Sequence, residues 1–157
     1  MNKNVCSFFG HRKIDITNGL KEKLYSILKS LIIENNVDTF LFGSKSEFDD
    51  LCYQIVSNLK TEFPHIKRIY VRAAFPHIDN SYLTYLLKHY EETYFPEQLL
   101  KAGKASYVKR NYEMIDKSYF CIVYFDESYV PHSQKKSGTK IAYEYAVKKK
   151  KEIINVF

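Results

Sequence analysis

The sequence predicts an α/β domain: a doubly wound, mainly parallel sheet of about five strands with helices on both faces. Short apolar runs rich in β-branched and aromatic residues alternate with longer stretches of helical periodicity. Gly10 and Gly43 stand directly behind two of the runs, where a strand has to turn out of the sheet. The run Tyr119–Phe125 is apolar and aromatic almost throughout, the pattern of an internal strand covered on both faces.

The elements follow in order. Asn4–Phe9 is a short buried strand, and a helix from about Ile16 to Asn35 places Leu20, Leu24, Ile27, Leu28 and Leu31 on one face. Asp38–Phe42 is the second strand. Ser46 then caps a helix whose stripe is Phe48, Leu51, Cys52, Ile55 and Leu59. Ile66–Val71 is the third strand. Ala73–Gly103 is less regular, with a helix from Ser81 to about Tyr90. Its aromatic group, Tyr82, Tyr85, Tyr90, Tyr94 and Phe95, reads as core packing; a base-stacking surface and a homo-oligomer interface are the alternatives. A helix from about Ala105 to Lys117 leads into the strand Tyr119–Phe125. A polar stretch with Pro131 and His132 precedes a helix entered through Ser137 and Gly138 and running through Lys150, and Glu152–Phe157 is the last strand.

At 157 residues the chain fits one domain. An apolar fraction of 45% with 27% charged residues excludes disorder. The cysteines, Cys6, Cys52 and Cys121, are odd in number, far apart and set in apolar segments, so they read as reduced core residues rather than a disulfide framework or zinc site. Met1–Gly10 is too short and polar for a secretory leader, and no run is long enough to span a bilayer, so a cytoplasmic location without a membrane partner is expected. No H-E-x-x-H, P-loop or Ser/His/Asp arrangement is present, and neither a metal nor a cofactor is expected. Of the net charge of +6, four positive charges lie in Lys148–Lys151, read as a solvated helix end that complements the dipole. Nucleic acid therefore ranks below a small anionic molecule as partner.

Ligands of such sheets bind outside the carboxyl ends of the strands. Gly10, His11 and Arg12 form the first loop there: cationic side chains ahead of a helix amino terminus oppose the dipole unless an anion sits among them. Gly43 and Ser44 form the second, followed by Phe48 and by Asp49, which suits a ribose diol; the alternative for Asp49 and Asp50 is to serve the helix dipole alone. Ser137, Gly138 and Thr139 open the last helix with free amides and two hydroxyls, an arrangement that is either a cap or a phosphate cradle. Arg110 and Asn111 lie near the ligand end of their helix, where Arg110 either reaches the pocket or stays at the surface against a neighbour such as Glu113. Together these residues outline a site for a phosphorylated, nucleotide-like small molecule, with no catalytic residue assigned.

Phe9-Gly10-His11-Arg12, Gly43-x-x-x-x-Phe48-Asp49, Arg110-Asn111-x-x-Met114 and Ser137-Gly138-Thr139 with Tyr145-Ala146, in that order, resemble the SLOG superfamily and within it the YpsA-like branch. The resemblance spans nearly the whole chain except Phe75 to about Gly103. It implies a Rossmann-like sheet and ligands that are nucleotides or nucleotide-derived, ADP-ribose-like compounds included. Among similar proteins, the LOG phosphoribohydrolases cleave a base from a ribose phosphate, using an Arg that Arg110 matches by position and a Glu after a Pro-Gly-Gly-x-Gly-Thr loop. Here Gln134-Lys135-Lys136-Ser137 replaces the Pro-Gly-Gly stretch and Ile141 stands two past Thr139, so the Glu does not carry over. Other members are sensor domains, and the DNA-processing branch binds single strands. The resemblance thus implies three activities: a binding module for a nucleotide-derived signal, an N-glycosidic hydrolase with Asp49, Glu113 or Glu144 as acid, and single-stranded nucleic-acid binding.

Overall fold

Thr17, Ser46, Asp79 and Ser137 each hold an extended backbone conformation and accept a hydrogen bond from the amide three residues on, at Leu20, Asp49, Tyr82 and Lys140. Each satisfies one of the donors that a helix start leaves unpaired. The computed structural model describes residues 3–129, 131 and 136–157; His132 and Gln134–Lys135 of the expected polar stretch lie outside them.

The order is β1 (Val5–Gly10), α1 (Asn18–Asn35), β2 (Thr39–Phe42), α2 (Glu47–Glu62), β3 (Lys67–Val71), α3 (Asn80–His89), β4 (Glu92–Tyr94), α4 (Ser106–Lys117), β5 (Phe120–Tyr124), α5 (Gly138–Lys148) and β6 (Glu152–Asn155). Two 3-10 turns, Glu97–Leu99 and Gly103–Ala105, lie between β4 and α4. All strands are parallel, in the order β4-β3-β2-β1-β5-β6. This is the expected doubly wound, Rossmann-like α/β sheet, with six strands.

Alternation along the strands divides the core. Cys6, Phe8, Phe40, Phe42 and Ile122 pack under Leu24 and Leu28 of α1 and Phe48, Cys52 and Val56 of α2. Phe9, Leu41, Val71, Cys121 and Val123 pack on the other face under Met114 and Ile115 of α4 and Ala142 and Ala146 of α5. β5 is buried at all five residues, as a strand covered on both faces must be. Cys6, Cys52 and Cys121 are free and buried; burial pushes the Cys121 thiol up to about 11 and raises the other two as well.

The sixth strand, β4, has no sequence signature. Three residues cannot display an alternation, and pairing with β3, Ile69 opposite Glu92 through Val71 opposite Tyr94, makes it a strand. Glu91 adds a side-chain anchor, accepting from the Arg68 backbone at 2.8 Å and from its guanidinium at 2.7 Å. Tyr90 belongs to the core expected for the aromatic group, stacking on Tyr70, whereas Tyr85 is exposed. α5 ends at Lys148, two residues early, because Lys150 takes a left-handed conformation that turns the chain into β6.

Candidate ligand-binding cleft

β1 and β5 lie side by side, but β1 leads into α1 on one face of the sheet and β5 into α5 on the other, so their loops part at this point. A cleft of about 970 Å³ opens there and extends across the ends of β2 and β3. Its wall takes Gly10, His11 and Arg12 from behind β1, Gly43 and Ser44 from behind β2, Arg110 and Asn111 from α4, and Ser137, Gly138 and Thr139 from the start of α5. Ten of the twelve residues singled out in the sequence therefore meet at one cavity.

Phe48 and Asp49 do not line it. Phe48 is wholly buried, and a Cβ on Gly10 would fall inside the contact distance of its Cβ and ring carbons. Phe48 thus sets how deeply β1 sits, and Gly10 has no side chain because that space is filled. Gly43 is small for the same reason: a Cβ there would stand 2.8 Å from Arg110 Cδ and 3.0 Å from Met114 Sδ. Neither glycine has a positive φ, so close packing is what each position requires.

Arg110 is the central side chain. It is 4% exposed, donates through Nη1 to the Gly43 carbonyl and through Nε to Asn111 Oδ1 at 3.1 Å, and lies over the Tyr107 ring. Among the described residues no carboxylate stands within salt-bridge distance of it. Burial pulls its pKa down from the usual guanidinium value, opposed first by Asp49. The surface arrangement against Glu113 is not formed; Glu113 binds Lys117, Gln98 and Tyr94 instead.

Asp49 sits buried behind Gly43, its Oδ1 without a hydrogen-bond partner among the described residues. Burial pushes its pKa up to about 8, against the opposing pull of Arg110 and of the Gly43 and Ser44 amides, so the carboxyl is mostly protonated at neutral pH. Ser44 and Ser46 hydroxyls are 3.0 Å apart, and Ser46 is occupied as the cap of α2.

His11 is buried and its Nε2 accepts the Asp126 amide at 3.0 Å, joining the ends of β1 and β5. Burial lowers its pKa, opposed by Asp126, and the bond requires a neutral ring with the proton on Nδ1. Arg12 is exposed while its carbonyl accepts the Glu47 amide at 2.8 Å, and Glu47 Oε1 in turn accepts the Ile14 amide at 3.0 Å. The first loop is thereby clamped to α2.

No family model matches this chain, and no curated protein matches it either.

β3, its loop and α3 add further cleft residues, of which the sequence had singled out Tyr82 alone, as a member of the aromatic group. Tyr70, Arg72, Phe75 and Tyr82 all line the cavity. Arg72 is 8% exposed, with Nε on the Phe75 carbonyl at 3.2 Å and Nη1 on Thr93 Oγ1 at 3.0 Å. Phe75 holds a φ of 61° and is largely exposed at the cleft, a conformation that costs a bulky residue about 1–2 kcal/mol. The available signal was the position of Arg72 directly behind the Ile66–Val71 run.

The charged side chains of the cleft wall are of one sign. Arg12, Lys45, Arg72, Arg110 and Lys136 line it, and among the described residues no Asp or Glu does. Lys148–Lys151 stand at the other end of α5, away from the cleft, where Lys151 reaches the Asp116 carbonyl. Among the described residues no helix is long and apolar enough to cross a membrane, and no group of three His, Cys, Asp or Glu side chains could hold a metal ion.

Proposed function

We propose that this protein is a binding module for a phosphorylated, nucleotide-derived small molecule, held in the cleft at the β1/β5 switch point. The observation that carries the reading is the cleft's charge: five Lys or Arg side chains and no carboxylate line it among the described residues. A buried guanidinium without a counter-ion costs on the order of several kcal/mol, and an anionic ligand returns part of that. Phosphate suits the planar fork of Arg110 and the amides at the start of α5. The exposed rings of Phe75, Tyr107 and Tyr129 offer faces for a base. The resemblance to the SLOG superfamily agrees with this reading, which includes a cytoplasmic location, where such ligands are found.

Binding without turnover is favoured because none of the three acids considered for N-glycosidic hydrolysis reaches the cleft wall. Glu113 is engaged by Gln98 and Lys117, Glu144 pairs with Lys136 at 3.0 Å, and Asp49 lies behind Gly43. One observation keeps hydrolysis as the second reading: Asp49 retains a proton at neutral pH, as a general acid must.

Calorimetric titration of AMP, ADP and ADP-ribose, with chromatography of the ligand after long incubation, tests both. Saturable binding, a loss of roughly tenfold or more in Arg110→Gln, and intact ligand support the module. Released base, abolished by Asp49→Asn, would transfer the assignment to the hydrolase. Absence of binding by all three compounds would remove both.

A further inference from the structure

Resting on the cleft's reading as a phosphate site, we infer that Arg72 and Tyr70 form a second anion subsite beside Arg110, so that the ligand carries two adjoining phosphoryl groups. Arg72 and Arg110 are both more than nine-tenths buried, both line the cleft, and neither has a carboxylate within salt-bridge distance among the described residues. Each spends Nε and Nη1 on the protein, Arg72 on Phe75 and Thr93, Arg110 on Asn111 and Gly43. Among the described residues both Nη2 groups are left without an acceptor, and a guanidinium presents five N–H donors in a fixed fork.

Their anchors flank β3: Arg72 is braced on Thr93 of β4, Arg110 on the chain leaving β2. Arg110 is bonded to the carbonyl behind Phe42, and Phe42 stands opposite Tyr70, two residues before Arg72. Two strand spacings put the anchors roughly 10 Å apart with Tyr70 between them, a span that two phosphoryl groups of one ligand fill from the inward-reaching guanidiniums. Tyr70 lies within electrostatic reach of both guanidiniums, and its hydroxyl has no hydrogen-bond partner among the described residues. It is therefore a free donor where the bridging region of a diphosphate would lie. One phosphate gripped by both arginines is the competing geometry, and the two arrangements respond differently to mutation.

The test is calorimetric titration of four probes, inorganic phosphate, pyrophosphate, AMP and ADP, into the wild type, Arg72→Gln and Tyr70→Phe. In the wild type pyrophosphate and ADP should bind at least roughly tenfold tighter than phosphate and AMP, since the second group gains charge-assisted hydrogen bonds. Arg72→Gln should erase that margin, weakening pyrophosphate and ADP roughly tenfold more than phosphate and AMP. Tyr70→Phe keeps the ring stacked on Tyr90 and removes only the free hydroxyl, so its fold is retained; a loss of roughly threefold or more for ADP alone is expected. Equal wild-type affinity for AMP and ADP, or a parallel loss of both in Arg72→Gln, would overturn the second subsite while leaving Arg110 as a phosphate site. If none of the four probes binds, the phosphate reading falls with it.

Discussion

Gly10 and Gly43 differ in what their missing side chains make room for, and the two alanine variants should separate. At Gly10 the neighbour is the Phe48 ring, locked in the core, so Gly10→Ala should cost about 1–3 kcal/mol in urea unfolding or more. At Gly43 the neighbours are the flexible Arg110 and Met114 side chains. Gly43→Ala should unfold with a smaller penalty but bind ADP roughly as weakly as Arg110→Gln, because the guanidinium is pushed off the Gly43 carbonyl. Asp49 supplies a pH signature. Its carboxyl ionises near the ordinary Asp value in the unfolded chain but only near 8 in the native one. Between those limits the native state holds more protons, so stability falls as pH rises from about 4 to about 8. Asp49→Asn should remove that decline, raising the melting temperature over wild type at pH 8 and leaving it nearly unchanged at pH 3. His11 acts oppositely: its lowered pKa means the unfolded chain takes the proton first, so stability drops as pH falls below the normal imidazole range.

Helix starts carry the element-scale energetics, and the two that flank the cleft can be tested separately. Ser46→Ala and Ser137→Ala each delete one cap bond, at 3.0 Å in both cases, and each should cost about 1 kcal/mol in chemical unfolding. Ser137 faces the cleft at an exposed helix end, so its variant should also weaken nucleotide binding. Ser46 also lines the cleft but is buried, its hydroxyl taken up by Ser44 and the Asp49 amide, so its loss should act mainly on stability. The caps were readable because capping chemistry is local: Ser46 and Ser137 each stand immediately before a helical stripe. β4 was not, since its strand character comes from β3 and from the Arg68–Glu91 bond, partners that lie 23 residues apart. With β4 unseen, the loop behind β3 had no sheet neighbour to brace it, and Arg72 went unnoticed.

At the scale of the whole molecule, two cationic groups stand at opposite ends of α5. The cleft holds cations in a concave, partly buried wall, whereas Lys148–Lys151 are surface charges at the far end of α5. A nucleotide bound in the cleft at about 100 times its dissociation constant should stabilise the fold by about 2.7 kcal/mol, readable as a saturable rise in melting temperature. Single-stranded DNA bound through the lysine run should instead lose affinity steeply with salt and compete poorly with ADP. A steep salt slope combined with mutual exclusion of DNA and ADP would place nucleic acid in the cleft and displace the small-molecule reading.

Local chemistry determined by itself the α/β alternation, the capped helix starts, the doubly buried β5 and the positions of the strand ends, because periodicity and capping are properties of neighbouring residues. From the strand ends, the loops of Gly10, Gly43, Arg110 and Gly138 could be expected to converge, and the structure brings them to one cleft. The tertiary structure alone decided what each residue does there. Phe48 looks the same in sequence whether it faces a ligand or the underside of Gly10, and Asp49 whether it meets a ribose or dry protein. Burial and the identity of distant neighbours set those outcomes, since a side chain's solvation and partners are established only once the strands have paired and the helices have closed over them.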